Sequence, residues 1–338
     1  MIEIHEELTT WIKSNRPLNT TKTYNTYQQQ FTSFQHQQNL PTGPLPYMQQ
    51  AIQVSAFIQH LTNENKAPST IQTAAAAVAS EIAISSTDPN ASSLLTNPLV
   101  KKTLQTAKKK NAKEKKQATP LTNDIIKKIT TTAQTEISNN STPTQEVVRD
   151  MTLILITQKA CLRASEACAL NWEDISFSTV LLDQKDKKEK REVMKVFVRK
   201  GKTDQERKGH TSLILQASDP QMCAIKWYTD YVHPLKNYRV IGRRNSSAPT
   251  PLIQQLKNDN PLSPATVSHI IKKWITKIGM DASKFSSHSC RRGGATEAAR
   301  KGASIKQIMT HGNWKSDAVL AYIEASDEEL LGAAISLT

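Results

Sequence analysis

Residues 288–324 read HSCRRGGATEAARKGASIKQIMTHGNWKSDAVLAYIE, and this stretch governs the interpretation of the whole chain. The run from His288 to Lys301 reads as one helix, which Gly302 can terminate and after which Ser304 can cap the next. His288 and Arg291 are three residues apart, so both side chains leave one helix face and can meet a single ligand. Trp314 follows His311 by three residues, and Tyr322 follows Trp314 by eight and His311 by eleven. The span 296–314 also has the small-residue, glycine and apolar spacing of a helix-turn-helix, with Gly302 at the turn. Taken singly, each feature has an ordinary reading. An HxxR is a capped helix start, and Tyr322 among Val319, Leu320 and Ile323 is a core tyrosine.

Working backwards, ACLRASEACALNWEDI at 160–175 carries Arg163 and Glu166, an ion pair on one helical face. VRKGKTDQERKGHTSLIL at 198–215 is a lysine-bearing turn between short strands. The strands are read at 180–183, 195–200 and 210–216. Helices are expected over 125–133, 147–160 and 263–278. Nearer the N-terminus, Tyr24, Tyr27, Phe31 and Phe34 recur at helical spacing, as do Val54, Phe57, Ile58 and Leu61. Ile71, Ala74, Ala75, Val78 and Ile82 form a third stripe, with Ser69 or Thr70 as its N-cap. The expected fold is mainly α: an all-helical domain over 1–100, a basic linker over 101–118, and a mainly helical domain over 119–338 with a small antiparallel sheet.

The chain has 338 residues, 44 Lys+Arg against 30 Asp+Glu, and a formal charge of +14. With 38% hydrophobic and 22% charged residues it is neither a disordered polyelectrolyte nor a membrane protein. The stretch 73–84 contains Ser80 and Glu81 and is too short to cross a bilayer. The first residues, MIEIHEELTTWIKSNR, lack the apolar core of a signal peptide. Cys161, Cys168, Cys223 and Cys290 form no CxxC pair and read as small buried residues of a reducing compartment. The charge is uneven: residues 101–117 hold eight lysines and one glutamate, and KDKKEKR at 185–191 adds a second cluster. Such runs are ordinarily solvated; as contacts they favour polyanions. Lys108, Lys109, Lys110, Lys113, Lys115 and Lys116 are the candidate DNA contacts, and KKKNAKEKK also fits a nuclear import signal. No carboxylate cluster suits a two-metal site, so neither metal nor cofactor is expected.

Arg163, the lysine-bearing turn, His288-x-x-Arg291, Trp314 and Tyr322, in this order, resemble the tyrosine recombinase (phage integrase) family. The resemblance runs from about Pro120 to the C-terminus, and the N-terminal helices are similar to that family's core-binding domain. GNWKSDAVLAYI at 312–323 is most similar to recombinases of eukaryotic mobile elements of the Crypton and DIRS kinds. The resemblance implies Tyr322 as nucleophile, Arg163 and Arg291 gripping a DNA phosphate, and His288 bonding that phosphate or helping to take the tyrosine proton. Lys202 would protonate the leaving oxygen, with Lys200 in reserve. Trp314 stands where bacterial members carry histidine; its indole N–H can bond a phosphate oxygen but cannot shuttle a proton. The implied partners are double-stranded DNA with inverted half-sites, a homodimer on each site and a tetramer in synapsis, no membrane being involved. The apolar tail around Leu330, Leu331 and Ile335 packs on its own domain or docks on a neighbour. The compartment would be the nucleus in a eukaryotic host and the cytoplasm otherwise.

Two rivals stand beside this reading. A non-catalytic DNA binder derived from a recombinase would keep the basic charge but has no reason to keep Arg163, Lys202, His288, Arg291 and Tyr322 together. A type IB topoisomerase shares the chemistry, but the separate helical domain, basic linker and apolar tail point towards pairing of two DNA sites. The expectation is a site-specific recombinase that integrates or excises a mobile element.

Overall fold

Prolines and short polar caps set where most helices begin. The computed structural model describes residues 2–43, 45–86, 89–112, 117–184, 187–199, 201, 208–242, 249–258 and 260–323. The chain divides into two compact units, 1–116 and 117–338.

The first unit is helical: α1 (Ile2–Ser14), α2 (Leu18–Gln37), α3 (Tyr47–Asn63), α4 (Pro68–Ser85) and α5 (Pro98–Lys110). The aromatic stripe read in the sequence meets its partner here. Phe57 of α3 packs between Phe31 and Phe34 of α2, with ring centroids 5.2 and 5.5 Å away, a separation at which aromatic pairs add to plain area burial. The stripes on α3 and α4 are buried against them. α4 starts one residue before the expected cap: Ala67 is the N-cap and Pro68 the first helical residue, its fixed φ suited to that place.

The basic segment expected to be a linker is a packed helix up to Lys110. Asn97 caps α5 by accepting the Leu99 N–H at 2.9 Å, Pro98 opens it, and Val100 and Ala107 are buried with Leu104 beside them. Residues 100, 104 and 107 form one apolar stripe, which outweighs the charge of the surrounding lysines. Lys108, Lys109 and Lys110 are exposed on the last turn, where the helix dipole favours cations. Asn111 then ties the end of α5 to the Thr62 and Lys66 carbonyls at 2.9 and 3.0 Å. Lys113, Lys115 and Lys116 lie outside the described residues.

The second unit runs α6 (Asn123–Ser138), α7 (Thr144–Lys159), α8 (Ala164–Ala169), β1 (Ile175–Gln184), β2 (Lys187–Val198), β3 (His210–Leu215), α9 (Ala224–Gly242), α10 (Pro264–Lys277), α11 (His288–Arg300) and α12 (Ile305–His311). The strands form an antiparallel sheet in the order β1-β2-β3, with Ile175 opposite Val196 and Val198 opposite His210. α7 is the centre of the unit, buried without a break from Val147 to Gln158. Even the charged Asp150 is inside, accepting from Arg149, from Lys273 at 2.5 Å and from the Trp274 indole at 2.9 Å, as a buried carboxylate must. The four cysteines are buried and free, and burial pushes the Cys161 and Cys290 thiols up to about 12. No described helix is long and apolar enough to cross a membrane.

α11 lies against α7 and the segment before α6 at backbone distance. A Cβ on Gly293 would stand 1.9 Å from the Leu121 carbonyl oxygen, and one on Gly294 2.2 Å from that of Gln158. Gly302, by contrast, closes the helix at φ +82° with nothing within 4 Å of its missing Cβ. Gly293→Ala is therefore expected to lower stability by about 3 kcal/mol or more through overpacking against backbone that cannot yield. Gly302→Ala is expected to lower it by only about 1 kcal/mol through left-handed strain. Denaturant unfolding of the two variants side by side checks the difference.

Candidate active site

α7 ends at Lys159, and the chain reverses through Cys161, held in the left-handed region at φ 51°. Arg163 then takes extended backbone as the N-cap of α8. Three residues on, the Glu166 carboxylate accepts the Arg163 backbone N–H at 2.7 Å and its guanidinium at 2.6 Å. The pair foreseen in the sequence is thus also the start of the helix, with one carboxylate satisfying both backbone and side chain.

Glu166 has a second cation. Arg291 of α11, 0% exposed, comes within 3.7 Å of the same carboxylate, which is itself 2% exposed. Its guanidinium donates to the Cys161 carbonyl and, at 2.8 Å, to the Gly312 carbonyl. One face lies on the Trp314 indole, 3.8 Å from the ring centroid, a cation–π contact strengthened by desolvation. Burial, and then the neighbouring Arg163, pulls the Arg291 pKa down to about 10, so the group stays charged at neutral pH. Two arginines share one carboxylate in a region of low dielectric, leaving an unbalanced positive charge that favours an anion.

Tyr322 lies at the end of a 3-10 turn, Asp317–Ala321, opened by the Ser316 side chain. α11 fixes its backbone: Arg292 donates to the Ala321 carbonyl at 2.6 Å, and the Thr296 hydroxyl to that of Tyr322 at 3.2 Å. A small cluster of Cys161, Ala295, Ile308, Trp314 and Val319 supports the turn. The Tyr322 ring stands edge-on to Trp314 at 5.5 Å, 6.4 Å from the His288 ring and 5.7 Å from the Arg291 guanidinium carbon. His288, the exposed first residue of α11, and Arg291, one turn later and fully buried, thus flank one tyrosine.

Five of the sequence candidates therefore meet: Arg163, His288, Arg291, Trp314 and Tyr322. Lys202 and its reserve Lys200 lie outside the described residues, between the paired ends Val198 and His210. His311, the alternative to Trp314, is taken up elsewhere, its Nε2 lying 2.8 Å from the Lys159 carbonyl. The sequence reading missed Glu166 as a carboxylate shared by two arginines, because its i,i+3 spacing showed only the first. It also missed His210, a lone histidine at a strand start with no pattern around it. Its ring Nδ1 is 3.0 Å from the Asn313 amide nitrogen.

The model of the phage integrase family matches residues 119–329. The chain belongs to this family. Its relatives include the integrase/recombinase xerD homolog of Selenomonas ruminantium, 30% identical over 183 residues, which are 52% of this chain and 47% of that protein. The chain spans about half the length of the curated relatives it matches. Among solved structures, the XerH site-specific recombinase bound to palindromic difH substrate is similar with a TM-score of 0.59 and 17% identity, over 95% of this chain and 80% of that one. The Tn1549 transposon integrase in complex with circular intermediate DNA is similar with a TM-score of 0.52 and 14% identity, over 98% of each. These structural likenesses establish the integrase fold over both units.

Removing the charge shared by the two arginines tests how the site is held. Glu166→Gln is expected to lower stability by about 3 kcal/mol, because two cations, one of them fully buried, lose their counter-ion. Denaturant unfolding with a matched Glu173→Gln surface control checks this.

Proposed function

We propose that the chain is a site-specific DNA recombinase that cleaves and rejoins strands through Tyr322. One observation carries the reading. Beside the tyrosine, the Nε of Arg291 and the indole Nε1 of Trp314 are buried donors with no hydrogen-bond partner among the described residues. Orphaned buried donors are rare and call for an acceptor, and two arginines beside them ask for an anionic one. A DNA phosphate supplies several acceptor oxygens and the charge.

The chemistry follows from what these groups can do. The Tyr322 oxygen attacks the scissile phosphorus, forming a P–O(Tyr) bond as the P–O5′ bond breaks. The product is a 3′-phosphotyrosyl strand and a free 5′-hydroxyl. Arg163 and Arg291 stabilise the charge that gathers on the nonbridging oxygens. His288, next to the phenol, takes its proton or bonds the phosphate. Lys202 gives a proton to the leaving 5′-oxygen. Attack of a 5′-hydroxyl on the phosphotyrosine reverses the steps and rejoins strands, the ester bond having kept its energy throughout.

The finer reading follows the resemblance. The 312–323 segment supports a mobile-element recombinase of the Crypton or DIRS kind, integrating or excising its element. It would act on inverted half-sites as a dimer, with a tetramer in synapsis and the C-terminal tail in cis or in trans. The N-terminal unit would serve as the core-binding domain, with the exposed lysines of α5 towards DNA. Its place would be the nucleus of a eukaryotic host, or otherwise the cytoplasm.

The test needs no known target. The full chain is incubated in EDTA with a pool of nicked, randomised duplexes, denatured in detergent, and the DNA that stays on protein is recovered. The expected outcome is a covalent adduct that Tyr322→Phe abolishes. Arg291→Lys should reduce it by about 10²-fold or more, the scale of losing one preorganised donor at a developing charge. Salt-sensitive DNA binding without any adduct would overturn the catalytic reading in favour of a non-catalytic DNA-binding protein.

A further inference from the structure

His210 has a geometry that the five assembled residues do not explain. It is the first residue of β3, where the chain returns from the segment carrying Lys202. Its Nδ1 lies 3.0 Å from the Asn313 side-chain nitrogen. A carboxamide nitrogen only donates, so Nδ1 is the acceptor and the imidazole proton resides on Nε2. That Nε2 is sealed from solvent and has no hydrogen-bond partner among the described residues. The ring is thus locked in one tautomer and presents a donor with nothing to receive it.

Its surroundings say what is missing. Asn313 is held at φ 52° between Gly312, whose carbonyl takes Arg291, and Trp314, which stacks on Arg291. The imidazole is therefore anchored to the turn that carries the orphaned Trp314 Nε1. Burial pushes the His210 pKa down; Glu166 works against this, while Arg291, Arg163 and Lys315 add to it. The ring is neutral at pH 7 and lies within the field of both candidate phosphate-gripping arginines.

We propose that His210 is a further phosphate contact of this site, donating its Nε2–H to a backbone oxygen of bound DNA while Asn313 fixes the ring. The inference rests on the recombinase reading above. It adds a donor from the sheet to those from α8 and α11, placed at the root of the lysine-bearing turn.

The test uses the full chain and the duplex recovered from the nicked pool, resynthesised with a normal phosphate at the cleavage point or with either methylphosphonate diastereomer. His210→Ala should slow adduct formation by about 10²-fold on the normal phosphate. His210→Gln, whose amide N–H reaches towards the same place, should recover most of the rate. On the diastereomer lacking the oxygen that His210 contacts, the wild-type chain and His210→Ala should react alike. A purely structural tether to Asn313 would instead give the same penalty on all three substrates, and that result overturns the proposal, as does an unchanged rate in His210→Ala. If His210→Ala does not fold, as judged by its thermal midpoint, the comparison is made with the bulkier, donor-free His210→Leu, whose penalty must likewise vanish on one diastereomer only. A wild-type chain that forms no adduct with any duplex overturns the recombinase reading itself, and this inference with it.

Discussion

A guanidinium with no solvent exposure is the constraint around which the second unit is arranged. Arg291 retains its charge at neutral pH despite the pull of burial. An interior cation has to be matched by acceptors, a counter-ion and a polarisable face. The Cys161 and Gly312 carbonyls, the Glu166 carboxylate and the Trp314 ring supply these from the α7–α8 turn, α8 itself and the turn after α12. Each lies far from Arg291 in sequence, so meeting this one side chain draws distant parts of the chain together. The same convergence delivers Arg163, which shares Glu166, and Tyr322, whose ring packs on Trp314.

Backbone devices make this convergence possible. Cys161 and Asn313 both adopt the left-handed region, an uncommon state for residues with a side chain. In both places the turn brings a group to Arg291: a carbonyl from Cys161 and, around Asn313, the Gly312 carbonyl and the Trp314 ring. Gly293 and Gly294 let α11 lie directly on the main chain of Leu121 and Gln158. α11 also holds the tyrosine through Arg292 and Thr296, so one helix sets the depth of Arg291 and the reach of Tyr322 together.

The parts that could be read from the sequence were those with a local signal. The stripes on α2, α3 and α4, strand β3, and the Gly302–Ser304 break between α11 and α12 are matters of periodicity and capping and lie close to their expected places, whereas β1 and β2 begin well before the expected 180 and 195, at Ile175 and Lys187, because the charged run between them pairs as a hairpin. The candidate site was legible as an ordered set of residues, because Arg163, His288, Arg291, Trp314 and Tyr322 are individually ordinary and informative only together. Two kinds of feature escaped. The basic segment reads as a linker because its lysines dominate its composition, whereas Val100, Leu104 and Ala107 are few, small and decisive once a core is there to receive them. Glu166 bridging two arginines and His210 bonded to Asn313 are long-range pairings that no spacing rule encodes.

The donors around Arg291 share a polarity that explains why tryptophan, rather than a group able to exchange protons, fits beside it. An indole N–H gives and never receives, and its ring stacks on the guanidinium at 3.8 Å. A histidine in that place would present either a donor or an acceptor according to tautomer, and would gain a charge against two arginines when protonated. His210 does carry that ambiguity, and Asn313 removes it by occupying Nδ1. The arginines, the indole and the locked imidazole therefore offer hydrogens only, against the single shared carboxylate of Glu166. A buried site so arranged disfavours a cationic occupant and is matched by a group that has several acceptor oxygens and a negative charge. On the proposed recombinase reading, proton traffic is then left to groups outside this wall: His288, exposed at the start of α11 beside the phenol, and the lysine of the β2–β3 connection. On the proposed reaction, separating fixed donors from mobile protons in this way would let the charge-stabilising part of the site stay rigid through both cleavage and rejoining.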